Sequence, residues 1–253
     1  MTETTGDGSK EKSEPKESFA PESDGFFGRF LDLFRNPRRL MDNVGRHPRW
    51  WAPLLFIFVV VAFSSWMIMP IAAPESLGKM QDSVFGMALS DEDLQEIAEG
   101  AREITPTRRV LQALQDSIVN LVFIMLFGLA LGMFAQLSGG QVKYGQALGI
   151  TVWGAVPVYA LNMLVRIPLA YATGSVFRYS VGLAALAPGA DTGSFLFKVL
   201  YNYGDFFTWW GLVLVIIGFR RVFGMALGPA ILSVILPWIV MMAFPLGIML
   251  LFM

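Results

Sequence analysis

The sequence predicts an all-α integral membrane protein: five transmembrane helices in a bundle, N-in/C-out, with a disordered N-terminal tail and interfacial helices. Three observations carry this. The chain is 55% hydrophobic and 15% charged, with a mean hydropathy of +0.55, whereas a soluble domain carries about 25% charged residues. The charge is unevenly placed. Residues 1–49 hold nine Lys/Arg and nine Asp/Glu, while residues 104–253 hold eight Lys/Arg and three acids, Asp116, Asp191 and Asp205. Finally, uncharged runs of the ~20 residues needed to cross a hydrocarbon core of about 30 Å recur along the chain. A soluble fold has too little polar surface to cover so many.

Residues 1–24 are polar, mixed in charge and rich in Ser, Glu, Lys and Pro. Such a segment cannot bury enough apolar surface to offset its ordering, so it is expected to be disordered. Residues 25–49 form a basic cytoplasmic segment. Phe26, Phe27, Phe30, Leu31 and Phe34, then Leu40 and Met41, recur at spacings of three and four among Arg29, Arg35, Arg38 and Arg39. This reads as one short amphipathic helix. It either lies on the membrane with its arginines toward anionic lipid or packs on the protein's own cytoplasmic face.

The stretch "NVGRHPRWWAP" marks where the chain meets the membrane. Arg46 and Arg49 hold the inner side, and Pro48 permits a fresh helix start. Trp50 and Trp51 suit headgroup depth, and Pro53 lies in a first helical turn, where its missing N–H costs little. His47 is the one histidine and reads as interfacial rather than catalytic.

The membrane domain covers 50–253, with spans at about 50–73, 115–137, 144–168, 204–221 and 228–253. The first begins too far along the chain for a signal peptide, and Pro74 after Ala72-Ala73 disfavours cleavage, so it reads as retained. The fourth, "FFTWWGLVLVIIGF", is short and spans if Asp205, Arg220 and Arg221 at its ends snorkel. Between spans one and two lies an external insert, 74–114. Its clearest element is "SDEDLQEIAEGAREI", with Ser90 and Asp93 forming a capping box. Thr105-Pro106 starts the helix that leads into span two. The 171–204 link reads as short interfacial helices, with a re-entrant segment as the competing reading.

Orientation follows from basic residues. With the N-terminus inside, twelve Lys/Arg fall on the inner side and seven on the outer. Arg108 and Arg109 are the awkward pair, close to span two on the outer side.

Chemistry is sparse. With no cysteine and one histidine, thiolate chemistry, Cys/His metal sites and HExxH are excluded, and no P-loop occurs. No catalytic, cofactor or metal constellation is expected, so the chain does not read as an enzyme. Nucleic acid is not expected as a partner, since for "RNPRRL" lipid headgroups are the nearer phosphates. GxxxG pairs at Gly128/Gly132 and Gly145/Gly149 are candidate points of close helix packing. Pro157 interrupts span three, and Pro237 and Pro245 interrupt span five. Asn162, Arg166 and Asp205 are polar groups near span ends, and Arg166 and Asp205 are expected to reach water at the outer interface.

Four stretches together resemble the Yip domain family (Ypt/Rab-GTPase-interacting proteins) in its bacterial branch. They are "NPRRLMDNVGRHPRWWAPLLF", the acidic "ALSDEDLQEIAEGA", "GGQVKYGQALGITVWGAVPVYALNML" with Tyr144 and Pro157, and "NYGDFFTWWGLVLVIIGF" with Asp205, Phe207 and Trp210. The resemblance covers about 35–253. It implies a five-span helical membrane protein, and its bacterial branch implies the bacterial cytoplasmic (inner) membrane. Eukaryotic members act as vesicle-traffic adaptors that bind Rab GTPases. This sequence lacks their "DLYGP"-type cytosolic motif, which argues against GTPase binding. Membrane lipid is the expected partner, with a protein partner or a second copy engaged through the transmembrane helices. Two functional readings stand: a non-enzymatic scaffold or adaptor, and a small transporter or lipid-handling protein.

Overall fold

The fold is described by a computed structural model covering residues 25–81, 92, 99, 105–176, 182–183, 200 and 204–251. Every extended element among them is helical, beside an isolated bridge between Gly182 and Asp205. The tail, the acidic helix expected at 90–101 apart from residues 92 and 99, and most of the 171–204 link lie outside the described residues.

The single amphipathic helix expected near the N-terminus is two helices, α1 (Phe26–Arg35) and α2 (Pro37–Arg46). The break lies in the Asn36-Pro37 pair. Pro37 has no N–H to continue the first helix and suits the first turn of the second. The Asn36 side chain accepts from the Arg39 N–H at 3.2 Å and caps the new start.

Three helical stretches are long and apolar enough to cross a membrane. The first is α3 (Trp51–Gln81), which runs past the expected boundary at residue 73 and through Pro74. The second is α4 (Pro106–Leu137), capped by the Thr105 hydroxyl. The third joins α5 (Tyr144–Ala155), a π-helical turn (Val156–Leu161) and α6 (Asn162–Thr173). Two further apolar helices follow. α7 (Phe206–Val222) has 17 residues, and α8 (Leu227–Leu251) carries a shorter apolar stretch over Leu227–Met241.

The third stretch is the axis of the bundle, and every residue from Ala147 to Pro157 is buried. α3 packs on α4 and on the π turn and α6; α4 also packs on α5 and α8; α7 lies against α5, the π turn and α8. Trp153, Ile150, Leu148, Leu214 and Phe219 fill the centre. Leu55, Val59 and Phe63 of α3, with Val119, Val122 and Leu126 of α4, face outward and are exposed. A continuous apolar exterior of this kind is what a bundle solvated by hydrocarbon presents.

Helix direction alternates, so α1, α2 and the starts of α3, α5 and α8 share one end of the bundle, called proximal here. At the opposite, distal end, Glu75 fastens α3 to the end of α6. Its Oε1 accepts from Ser175 Oγ at 2.5 Å and its Oε2 from the Val176 N–H at 2.7 Å.

Candidate functional site

Two arrangements stand out, one at each end of the third stretch. The proximal one is a platform made by α1 and α2. Leu33, Leu40, Met41 and Val44 are fully or almost fully buried. Phe26 lies 5.7 Å from the Trp153 ring of α5 and 5.5 Å from Phe56 of α3, centroid to centroid. α1 therefore packs on the protein itself, and the face carrying Arg29 is turned inward. Arg29 is 2% exposed, and its Nη1 donates to the His47 carbonyl at 2.9 Å. Of the two readings open for this segment, the structure takes the one in which the helix packs on the protein's own face, and Arg29 does not face lipid. The outward face of α1 is aromatic and aliphatic: Phe27 is 80% exposed, and Leu31 and Phe34 are also exposed.

α2 is tied to the bundle by polar contacts as well. Asp42 accepts a bidentate pair from Arg221 of α7, at 2.9 and 2.6 Å. Gln146 Nε2 donates to the Gly45 carbonyl at 2.8 Å. Arg46 is exposed beside Asp42 and Arg221, while Arg49 is exposed in the linker. A Cβ at Gly149 would lie 3.0 Å from Val44 Cγ1 and 3.5 Å from Pro48 Cβ, so Gly149 makes room for α2 and Pro48. Trp50 packs against the core, whereas Trp51, the first residue of α3, is exposed, and Pro53 is buried two residues on. His47 contributes its backbone, ending α2 and accepting from Arg29 and from the Arg49 N–H.

The distal arrangement is a buried polar pair. Asn162 Nδ2 donates to Asp205 Oδ2 at 2.5 Å. The two are 7% and 4% exposed, so Asp205 does not reach water as expected from its position at a span end. It instead caps α7: its Oδ1 accepts from the Phe207 N–H at 3.2 Å. Phe207 and Trp210 follow on that helix, both half-buried. The π turn makes the pairing possible. It holds one residue more than an α-turn, so everything beyond it is rotated by about 100° relative to a regular helix. Pro157, buried within the turn, cannot donate to Trp153, and the Asn162 N–H reaches back to the Pro157 carbonyl. The sequence marks Asn162 and Asp205 singly, as polar groups near span ends, but nothing in it pairs them; Pro157 is the sign of the irregular turn that does.

Between the two ends lies an apolar cavity of about 340 Å³, bounded by α4, α5, the π turn, α7 and α8. Phe127, Val158, Leu212, Val215 and Trp238 line it, with the hydroxyl-bearing Thr151, Tyr159 and Thr208 at its wall. Its back is a close crossing of α5 and α7. A Cβ at Gly211 would lie 2.5 Å from the Gly154 carbonyl oxygen, and one at Gly154 would lie 2.5 Å from Val215 Cγ2. Gly128 and Gly132 lie on α4 toward α5, where added Cβ atoms would approach Leu148 at 3.2 Å and Ala147 at 3.4 Å. Gly145 differs: a Cβ there would meet nothing within 4 Å. Of the Gly145/Gly149 pair, only Gly149 makes a close approach within the chain's described residues. Tyr144 opens α5 with its ring exposed.

The Yip1 domain family model matches residues 31–249, from α1 into α8. The chain belongs to the Yip1 domain family. No curated protein and no solved structure matches it. Membership together with the apolar helices makes this Yip1 domain protein an integral membrane protein. The match takes in α2, the Asn162–Asp205 pair and the cavity alike. It leaves out the tail and the first half of α1.

Proposed function

We propose that this Yip1 domain protein is a non-enzymatic membrane scaffold, built on five spans with its N-terminus inside and its C-terminus outside. The observation that supports it is the α1–α2 platform. Two short helices are fixed to the bundle through buried apolar side chains and the Asp42–Arg221 pair, while Phe27, Leu31 and Phe34 stay exposed beside them. A bundle that holds a fixed two-helix surface at one end offers a partner a preorganised face, which lowers the ordering cost of binding. Crosslinking in cells followed by capture of the full chain tests this. A protein partner should be recovered reproducibly and lost on replacing Phe27 and Phe34 by Ser. Capture of no reproducible partner would sink the scaffold reading. Orientation is tested separately, by a reporter active only in the cytoplasm: it should work before Met1 and fail after Met253.

The cavity favours a second reading, a lipid-handling protein, because its walls are apolar and drawn from the middle of the spans. Reconstituted liposomes should then exchange labelled lipid between leaflets, and a flux equal to that of empty liposomes would exclude it.

A further inference from the structure

We propose that the cleft between α2 and the end of α7 is a binding site for the phosphate of an anionic membrane lipid. Two contiguous depressions, of about 390 and 270 Å³, meet there and share Asp42, Arg46 and Arg221. Arg38 and Arg39 complete the wall. Four guanidinium groups meet there against two carboxylates, Asp42 in the wall and Asp32, which pairs with Arg39.

Its construction follows from the helical period. Arg38, Asp42 and Arg46 are four residues apart and lie on one face of α2. Arg221, from a different helix, reaches across to the middle of that row and donates to Asp42 from Nε and Nη2, at 2.9 and 2.6 Å. The carboxylate is consumed in locating Arg221. Arg39 shares its charge with Asp32 at 3.4 Å. Arg38 and Arg46, one turn to either side of Asp42, have no ion-pair partner among the described residues. Each of these guanidinium groups keeps its fork of N–H donors free of a carboxylate, and phosphate oxygens accept such forked N–H pairs.

Membrane lipid is favoured as the source by what surrounds the cleft. Trp51, which begins α3, lies five positions after Arg46. The neighbouring helix α1 exposes Phe27, Leu31 and Phe34. A basic cleft beside an exposed apolar face, at the start of a spanning helix, offers a place for both parts of a lipid: the headgroup and the top of its chains. The inference rests on the membrane reading above only in placing α2 at headgroup level.

The test uses the full chain purified in detergent. Retention of phosphatidylglycerol and of phosphatidylcholine is compared by native mass spectrometry, with inorganic phosphate as a competitor. The wild type should retain phosphatidylglycerol preferentially. Arg38→Gln with Arg46→Gln should weaken that retention by roughly tenfold or more, while Arg108→Gln at the distal end leaves it unchanged. Thermal melts without lipid establish that the double variant is folded; both arginines are exposed. If the two lipids are retained equally, or the preference survives in the double variant, the proposal is overturned. Full displacement by inorganic phosphate at matched headgroup concentration would make this a free-phosphate site and overturn the lipid assignment. None of these outcomes depends on the capture of a protein partner, so the two proposals fail separately.

Discussion

Arg109 sits beside a proline whose consequence it repairs. Pro70 lies inside α3 and has no N–H, so the carbonyl four residues earlier, that of Trp66, lacks its helical donor. Arg109 supplies it from α4: Nη2 donates to the Trp66 carbonyl at 2.7 Å and Nε at 3.3 Å. The same guanidinium lies 4.4 Å from the centroid of the Trp66 ring, a cation–π contact. A basic residue that is awkward for a charge count is thus explained by a local backbone vacancy. Replacing Arg109 by Leu should cost about 1–2 kcal/mol, read as a lower midpoint in denaturation from mixed micelles, and Lys should recover part of the loss. Asp205 is the second case. Asp205→Ala removes the cap of α7 and strands the Asn162 amide in a buried site, and should cost about 1–3 kcal/mol. Asn162→Ala, which leaves the cap intact, should cost less. Equal losses would mean that the cap contributes little.

Among elements, the glycines separate packing from coincidence. α5 and α7 cross with their backbones nearly touching at Gly154 and Gly211, and α2 rests on Gly149. Gly211→Ala should destabilise the bundle by about 1–3 kcal/mol, because the added carbon meets a main-chain oxygen that cannot swing aside. Gly145→Ala should be neutral or stabilising by up to ~1 kcal/mol, since the site is open and alanine favours helix. Melting both variants in the same detergent checks the contrast, and equal effects would overturn it. This pair also shows what was legible. Spacing marks Gly145/Gly149 and Gly128/Gly132 identically, yet only the fold says which glycine meets a neighbour. The long apolar runs were legible because hydrocarbon thickness imposes a length. The break at Asn36-Pro37 was written as a cap followed by proline, but the apolar period continues across it and masks it. The Asn162–Asp205 pair was not legible, since it depends on a one-residue offset in the π turn. The inward turn of Arg29 was hidden for a related reason: the α1 period fits a lipid-facing helix as well as one packed on the bundle.

At the scale of the whole molecule, the question is where the folded unit begins. The family match starts at residue 31, but the packing starts earlier, because Phe26 stacks on Trp153 and touches Phe56. Composition sets residues 1–24 apart: they carry many Ser, Glu, Lys and Pro and only one aromatic side chain, Phe19. Two nested truncations locate the boundary. Removing residues 1–24 should leave insertion and the melting midpoint unchanged. Removing residues 1–36 takes away α1, including the fully buried Leu33, and uncovers Phe56 and Trp153. Each buried apolar side chain lost is worth about 1.5–3 kcal/mol, so the second truncation should lower the midpoint by several degrees while the spans still insert. If both truncations melt alike, α1 is an appendage rather than part of the bundle, and the platform cannot present a fixed surface. If the shorter truncation already destabilises, the tail contributes contacts that its composition does not predict.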